Sequence, residues 1–94
     1  MKTGNGIRTF EGGAIVRPEM NETIRINNGG NMRAFIHREL MNADEGDYDR
    51  YSLKIQFECG INFWLNAVNV CYWGDYGWDK VVRQLENYGF VQAA

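Results

Sequence analysis

The sequence predicts an α+β fold: a small antiparallel sheet of about four to six strands, packed on one face by a C-terminal helix and by a central helix. Three features carry this expectation. Residues 51–59 alternate apolar and polar without a break. Residues 78–88 place Trp78, Val81, Val82, Leu85 and Tyr88 at helical spacing. Short alternating runs elsewhere are separated by glycine-rich turns.

From the start of the chain, residues 1–6 are polar and glycine-containing and are expected to fray. Ile7–Phe10 and Ala14–Arg17 read as short strands joined in a hairpin by Glu11-Gly12-Gly13, since glycine tolerates the positive φ of a tight turn. Pro18 stops the second strand or confines it to an edge. Residues 22–27 alternate, with Ile24 and Ile26 on one face. The following Asn28-Gly29 suits a type I′ hairpin into Met32–Ile36. A helix over 32–42 with Asn31 as N-cap competes with that hairpin, because Met32, Phe35, Ile36 and Leu40 also fall at helical spacing. The strand reading leaves a long structureless loop from about residue 38 to 50, which compact domains avoid, so the helix is the expectation.

Residues 42–50 are polar and acidic and read as a loop. In the strand 51–59, Tyr51, Leu53, Ile55, Phe57 and Cys59 face one way; Ser52, Lys54, Gln56 and Glu58 face the other. Such alternation marks a sheet with one buried and one wet face. Strand character continues through Ile61–Leu65 and Val68–Tyr72, with a phase slip at Asn66-Ala67 that a bulge or tight turn explains. The final helix begins near Asp79, which suits its dipole, and Gly89-Phe90 fits a Schellman ending.

The chain length suits a single domain spanning 1–94. The net charge is −2 and no basic run occurs, so direct nucleic-acid binding is not expected. The two segments differ in charge: residues 1–40 carry six cations and four anions, residues 41–94 four cations and eight anions. No apolar stretch of about 18 residues suggests a membrane span, and residues 1–6 lack the apolar run of a signal peptide. The cytoplasm is the expected location, the host cytoplasm if the chain is phage-encoded.

No pattern of catalytic, cofactor-binding or metal-binding residues emerges. His37 has no partnered nucleophile in a recognisable motif. Cys59 and Cys71 read as buried core thiols, too few for a disulfide framework and wrongly spaced for zinc. Glu45, Asp47 and Asp49 alternate like calcium ligands, but Arg50 stands where an EF-hand loop needs glycine and Gln56 where it needs glutamate. Asn21-Glu22-Thr23 matches a glycosylation acceptor without a secretory signal to give it meaning.

Two segments stand out as candidate binding residues. Asp44, Glu45, Asp47 and Asp49, with Tyr48 among them, form an acidic stretch with no role in a core. Tyr72-Trp73-Gly74-Asp75-Tyr76-Gly77-Trp78 holds four large rings, more than a strand-to-helix corner can bury; Trp73, Asp75 and Tyr76 are its candidate contacts. The expectation is a non-enzymatic module that binds and blocks or modulates a larger protein, of the phage or mobile-element inhibitor type (anti-CRISPR or anti-restriction-like). Its partner would carry a basic surface, as a nucleic-acid-binding protein does, and a homodimer is compatible. The alternatives are a small-molecule or carbohydrate-binding module built on the 72–78 corner, and a small enzyme using His37 or a cysteine.

Overall fold

The computed structural model describes residues 6–93. The expected fraying of residues 1–6 falls almost wholly outside them. The chain runs β1 (Arg8–Phe10), β2 (Ala14–Ile15), β3 (Thr23–Asn27), β4 (Met32–Met41), β5 (Tyr48–Glu58), β6 (Trp64–Trp73), α1 (Gly77–Asn87) and β7 (Val91–Gln92). One sheet of five strands has the order β1-β3-β4-β5-β6; β2 and β7 form a separate two-stranded sheet. The α+β class is as expected. The large sheet is antiparallel except at β1 and β3, which pair in parallel.

The expected central helix over 32–42 is a strand. β4 pairs along its whole length with β5 and along half of it with β3, so Ala34 and Ile36 enter the core while Phe35 faces away. The Asn28-Gly29 turn closes the β3–β4 hairpin: Gly29 has φ +81° and the Asn28 side-chain oxygen accepts from the backbone N–H groups of Gly30 and Met32. The loop length that favoured a helix is absent. β5 begins at Tyr48, so the β4–β5 connection spans only 42–47. The expected hairpin between β1 and β2 is also absent. Parallel neighbours need a crossover of roughly a dozen residues, and segment 11–22 supplies one, carrying β2 away to pair with β7.

The core lies between one face of the large sheet and α1. It comprises Ile24, Ile26, Ala34, Ile36, Tyr51, Leu53 and Ile55 from the sheet, Val81 and Leu85 from the helix, and Phe90. Burial of each large aliphatic side chain contributes roughly 1.5–3 kcal/mol. The helix ends as a Schellman motif. The Phe90 N–H donates to Leu85 O (3.1 Å), the Gly89 N–H donates to Glu86 O (3.1 Å), and Gly89 has φ +93°.

In β6 the register against β5 slips between Ile55–Val68 and Gln56–Asn66, leaving Ala67 as a bulge. Val68, Val70 and Tyr72 therefore pack on the core side. Cys71, opposite Ser52, points to the other face and is exposed, and Cys59 lies exposed just past the end of β5; the expected core role of both thiols is not realised. Residues 60–63 form the β5–β6 turn rather than strand, leaving Ile61 92% exposed. Phe57, near the strand end, is only half-buried.

Candidate functional site

The two segments singled out in the sequence meet at one end of the sheet. The acidic loop joins β4 to β5, and the aromatic corner joins β6 to α1. Because β6 pairs with β5, the corner returns beside the start of β5: the Gly74 N–H donates to Asp49 O (3.1 Å). Gly74 has φ +91°, a conformation glycine adopts readily, and its carbonyl accepts from the Gly77 N–H (3.1 Å) to close the corner.

Between loop and corner lies a depression of about 280 Å³, lined in part by Arg17, Asp47, Asp49, Tyr51, Asp75 and Trp78. Asp47 and Asp75 are exposed, and no hydrogen bond or ion pair engages either among the described residues. Asp44 and Glu45 sit farther out, at the exposed tip of the loop, and do not line the depression. Tyr48 is the half-buried first residue of β5 and lines its edge.

Asp49 differs from its neighbours, and its expected freedom is corrected. It lies in β5 on the helix-facing side, 3.1 Å from Arg38 Nη2 and 3.6 Å from Arg17 Nη2. Arg38 also donates to Pro18 O (3.1 Å), and Arg17 Nε donates to the Tyr51 hydroxyl (2.8 Å). The Arg17 guanidinium stands 5.7 Å from the Tyr51 ring centroid and 5.6 Å from that of Trp78. Asp49 is thus the counter-ion of a structural network under the depression. Sequence reasoning missed Arg17 and Arg38. Reading 32–41 as a strand would have put Arg38 in phase with Ala34 and Ile36 and raised the question of its counter-ion.

The rings of the corner divide. Tyr72 and Trp78 pack against the core, while Trp73 is 60% and Tyr76 72% exposed. Trp73 ends β6 on the helix-free face, opposite Arg50, which donates to Glu39 (2.6 Å). Tyr76 is the N-cap residue of α1 and lines a shallow groove with Asp79, Lys80 and Arg83. The end therefore presents two unpaired carboxylates at the depression, with Tyr76 exposed at the start of α1 and Trp73 exposed on the opposite, helix-free face of the sheet.

His37 lies on the helix-free face of β4 instead of a helix. Thr23, His37, Ser52 and Cys71 form one cross-strand row, with Thr23 Oγ1 2.7 Å from His37 Nδ1 and Ser52 Oγ 3.5 Å from Cys71 Sγ. Two strand spacings, about 9–10 Å, separate His37 from Cys71. No cluster of three or more potential metal ligands occurs among the described residues. No described helix is long and apolar enough to cross a membrane.

Comparison with protein-family models, with curated proteins and with solved structures finds no match to this chain.

Proposed function

We propose that this chain is a small non-enzymatic interaction module that docks on a larger protein and blocks or modulates it, in the manner of the inhibitors that phages and mobile elements direct against CRISPR or restriction enzymes. The observation that carries the reading is the joint position of loop and corner: Asp47 and Asp75 unpaired around one depression, with Trp73 and Tyr76 exposed at the same end of the sheet. Carboxylates without a structural partner speed encounter with a basic surface. Exposed rings beside them supply the desolvated anchors that hold a complex. A protein that itself grips nucleic acid offers the matching basic surface. A homodimer would use the outer edge of β6, ten residues without a formal charge and unpaired among the described strands.

The test is surface plasmon resonance against the partner captured from the native host, at two salt concentrations. Asp47→Asn with Asp75→Asn should slow association and flatten its salt dependence. Trp73→Ala or Tyr76→Ala should speed dissociation, by about 30-fold where the ring is a hot spot worth ~2 kcal/mol. Folded variants that all bind like wild type would refute the reading. A melting temperature raised by a small sugar, with no protein captured, would favour the carbohydrate-binding alternative. For the dimer, sedimentation velocity should show a concentration-dependent dimer that Asn69→Lys on the β6 edge abolishes; wild type that stays monomeric at high concentration removes it.

A further inference from the structure

The helix-free face of the sheet gathers cations that are scattered in the sequence. Arg25, Phe35, Lys54 and Asn69 form one cross-strand row; Asn27, Arg33, Gln56 and Asn66 form the next. Arg25 and Lys54 thus flank Phe35, and Arg33 stands in the neighbouring row. Its guanidinium lies 3.9 Å from the Trp64 ring centroid and 5.2 Å from that of Phe35. The chain Arg33 Nε to Gln56 Oε1 (2.8 Å) and Gln56 Nε2 to Asn66 Oδ1 (2.9 Å) fixes its orientation.

These cations differ from the other arginines of the sheet side. Arg8, Arg17, Arg38 and Arg50 each meet a carboxylate, whereas Arg25, Arg33 and Lys54 form no ion pair among the described residues. The Arg25 Nε is shielded from solvent without a hydrogen-bond partner, a feature it shares with the ion-paired Arg38 and Arg50. Burial first, and the Arg25 charge next, hold the Arg33 guanidinium below its ordinary pKa, with Glu58 acting the other way. Two neighbouring guanidiniums with no ion-pair partner among the described residues are an arrangement that an external anion would complete. A depression of about 370 Å³ opens beside them, bordered by Trp64 and the Gly29-Gly30 turn. Glu11 and Glu58 line it together with Arg25 and Arg33, and Glu11 is engaged by Asn27 Nδ2 (2.9 Å). They repel an anion from the depression itself and leave as its place the adjoining sheet face, where Arg25 and Lys54 flank Phe35 in one cross-strand row.

We infer that this face binds a single-stranded nucleic acid, with Arg25, Arg33 and Lys54 on its phosphates and Trp64 and Phe35 beside its bases. The cations extend over two strand spacings, about 9–10 Å, more than one phosphate group spans. Aromatic rings set among cations on an open sheet are a platform for unstacked bases, which a duplex does not offer. The inference goes beyond the protein-docking reading and stands independently of it, because the acidic loop leaves β4 at the far end, on the order of 25 Å from Arg33.

The test is fluorescence anisotropy of a labelled oligo-dT and an oligo-U with the full chain at 50 and 200 mM salt. Saturable binding that weakens with salt is expected. Arg25→Gln and Lys54→Gln should each weaken it several-fold and lower the salt slope by about one. Arg83→Gln, which removes the same charge from the helix, should leave it unchanged. Arg33→Gln belongs in the series after its melting temperature is checked, since Arg33 packs on Trp64; Lys54→Gln makes no such contact and decides alone if needed. Asp75→Asn and Tyr76→Ala should retain strand binding even where they abolish protein docking. No saturable binding at 50 mM salt, or equal losses in Arg83→Gln and Arg25→Gln, overturns the inference. So does poly-glutamate competing as well as the oligonucleotide, which would make the face a reader of acidic protein, and so does equal affinity for duplex.

Discussion

Replacing Asp49 by Asn keeps the shape of the side chain and removes the charge that Arg38 and Arg17 share. Arg38 and Asp49 are 20% and 21% exposed, so the pair lies between two regimes. A fully exposed pair contributes about 0–1 kcal/mol; loss of one partner of a fully buried pair costs roughly 3–5 kcal/mol. Asp49→Asn should therefore cost about 1–3 kcal/mol, against a total stability on the order of 5–14 kcal/mol for a chain of this length. The midpoint of thermal unfolding should fall by roughly 5–15 °C. Urea unfolding followed by circular dichroism measures the loss, and a cycle with Arg38→Gln isolates the pair, with a coupling of about 1 kcal/mol or more. Asp47→Asn serves as control and should stay within about 0.5 kcal/mol of wild type. If Asp49→Asn melts with wild type and its effect adds simply to that of Arg38→Gln, Asp49 is not the counter-ion of the network and returns to the set of free carboxylates.

Gly89→Ala should destabilise by about 1–2 kcal/mol in urea titration, since a Cβ there meets nothing within 4 Å and only the left-handed backbone is strained; an unchanged midpoint would remove the cap from the account. Leu53→Ala should cost roughly 2–5 kcal/mol and half-buried Phe57→Ala distinctly less, although the alternation alone treats them as equals; the reverse order in denaturant midpoints would contradict the packing. Both thiols should react with a water-soluble disulfide reagent in the native protein, and Cys59→Ser and Cys71→Ser should each shift stability by less than about 0.5 kcal/mol. A thiol that reacts only on unfolding would be buried after all.

The elements legible in the sequence are those whose signal is local. The α1 stripe, its Gly89-Phe90 ending and the alternation of Tyr51, Leu53 and Ile55 each report a single element. Met32–Met41 misleads because Phe35 and Ile36 satisfy a helical stripe as well as a strand. What decides is that β4 has a neighbour on both sides, and tertiary pairing overrides a local pattern of this kind. The parallel β1–β3 pair is invisible for the same reason, since nothing within 8–10 states which neighbour it will take. At the site, the crowding of rings in 72–78 announces that some stay outside, and Trp73 and Tyr76 do. The engagement of Asp49 is not announced, because Arg17 and Arg38 are distant in the chain and only the fold delivers them.

Charge obeys the same logic on a larger scale. A search for basic character along the chain finds single cations, and that is the ground for expecting no nucleic acid. In an antiparallel sheet, however, the unit of local concentration is the cross-strand row, and residues far apart in sequence become neighbours on one face once the register is set. Arg25 and Arg33 lie on either side of the β3–β4 turn, and Lys54 joins them through the β4–β5 register. The unpaired carboxylates Asp47 and Asp75 collect at the other end by the same means, through loops that the β5–β6 pairing brings together. A net charge of −2 therefore conceals a molecule whose unpaired Asp47 and Asp75 and whose unpaired Arg25, Arg33 and Lys54 gather in different parts of the fold. Such a molecule is turned by the field of a charged partner before contact.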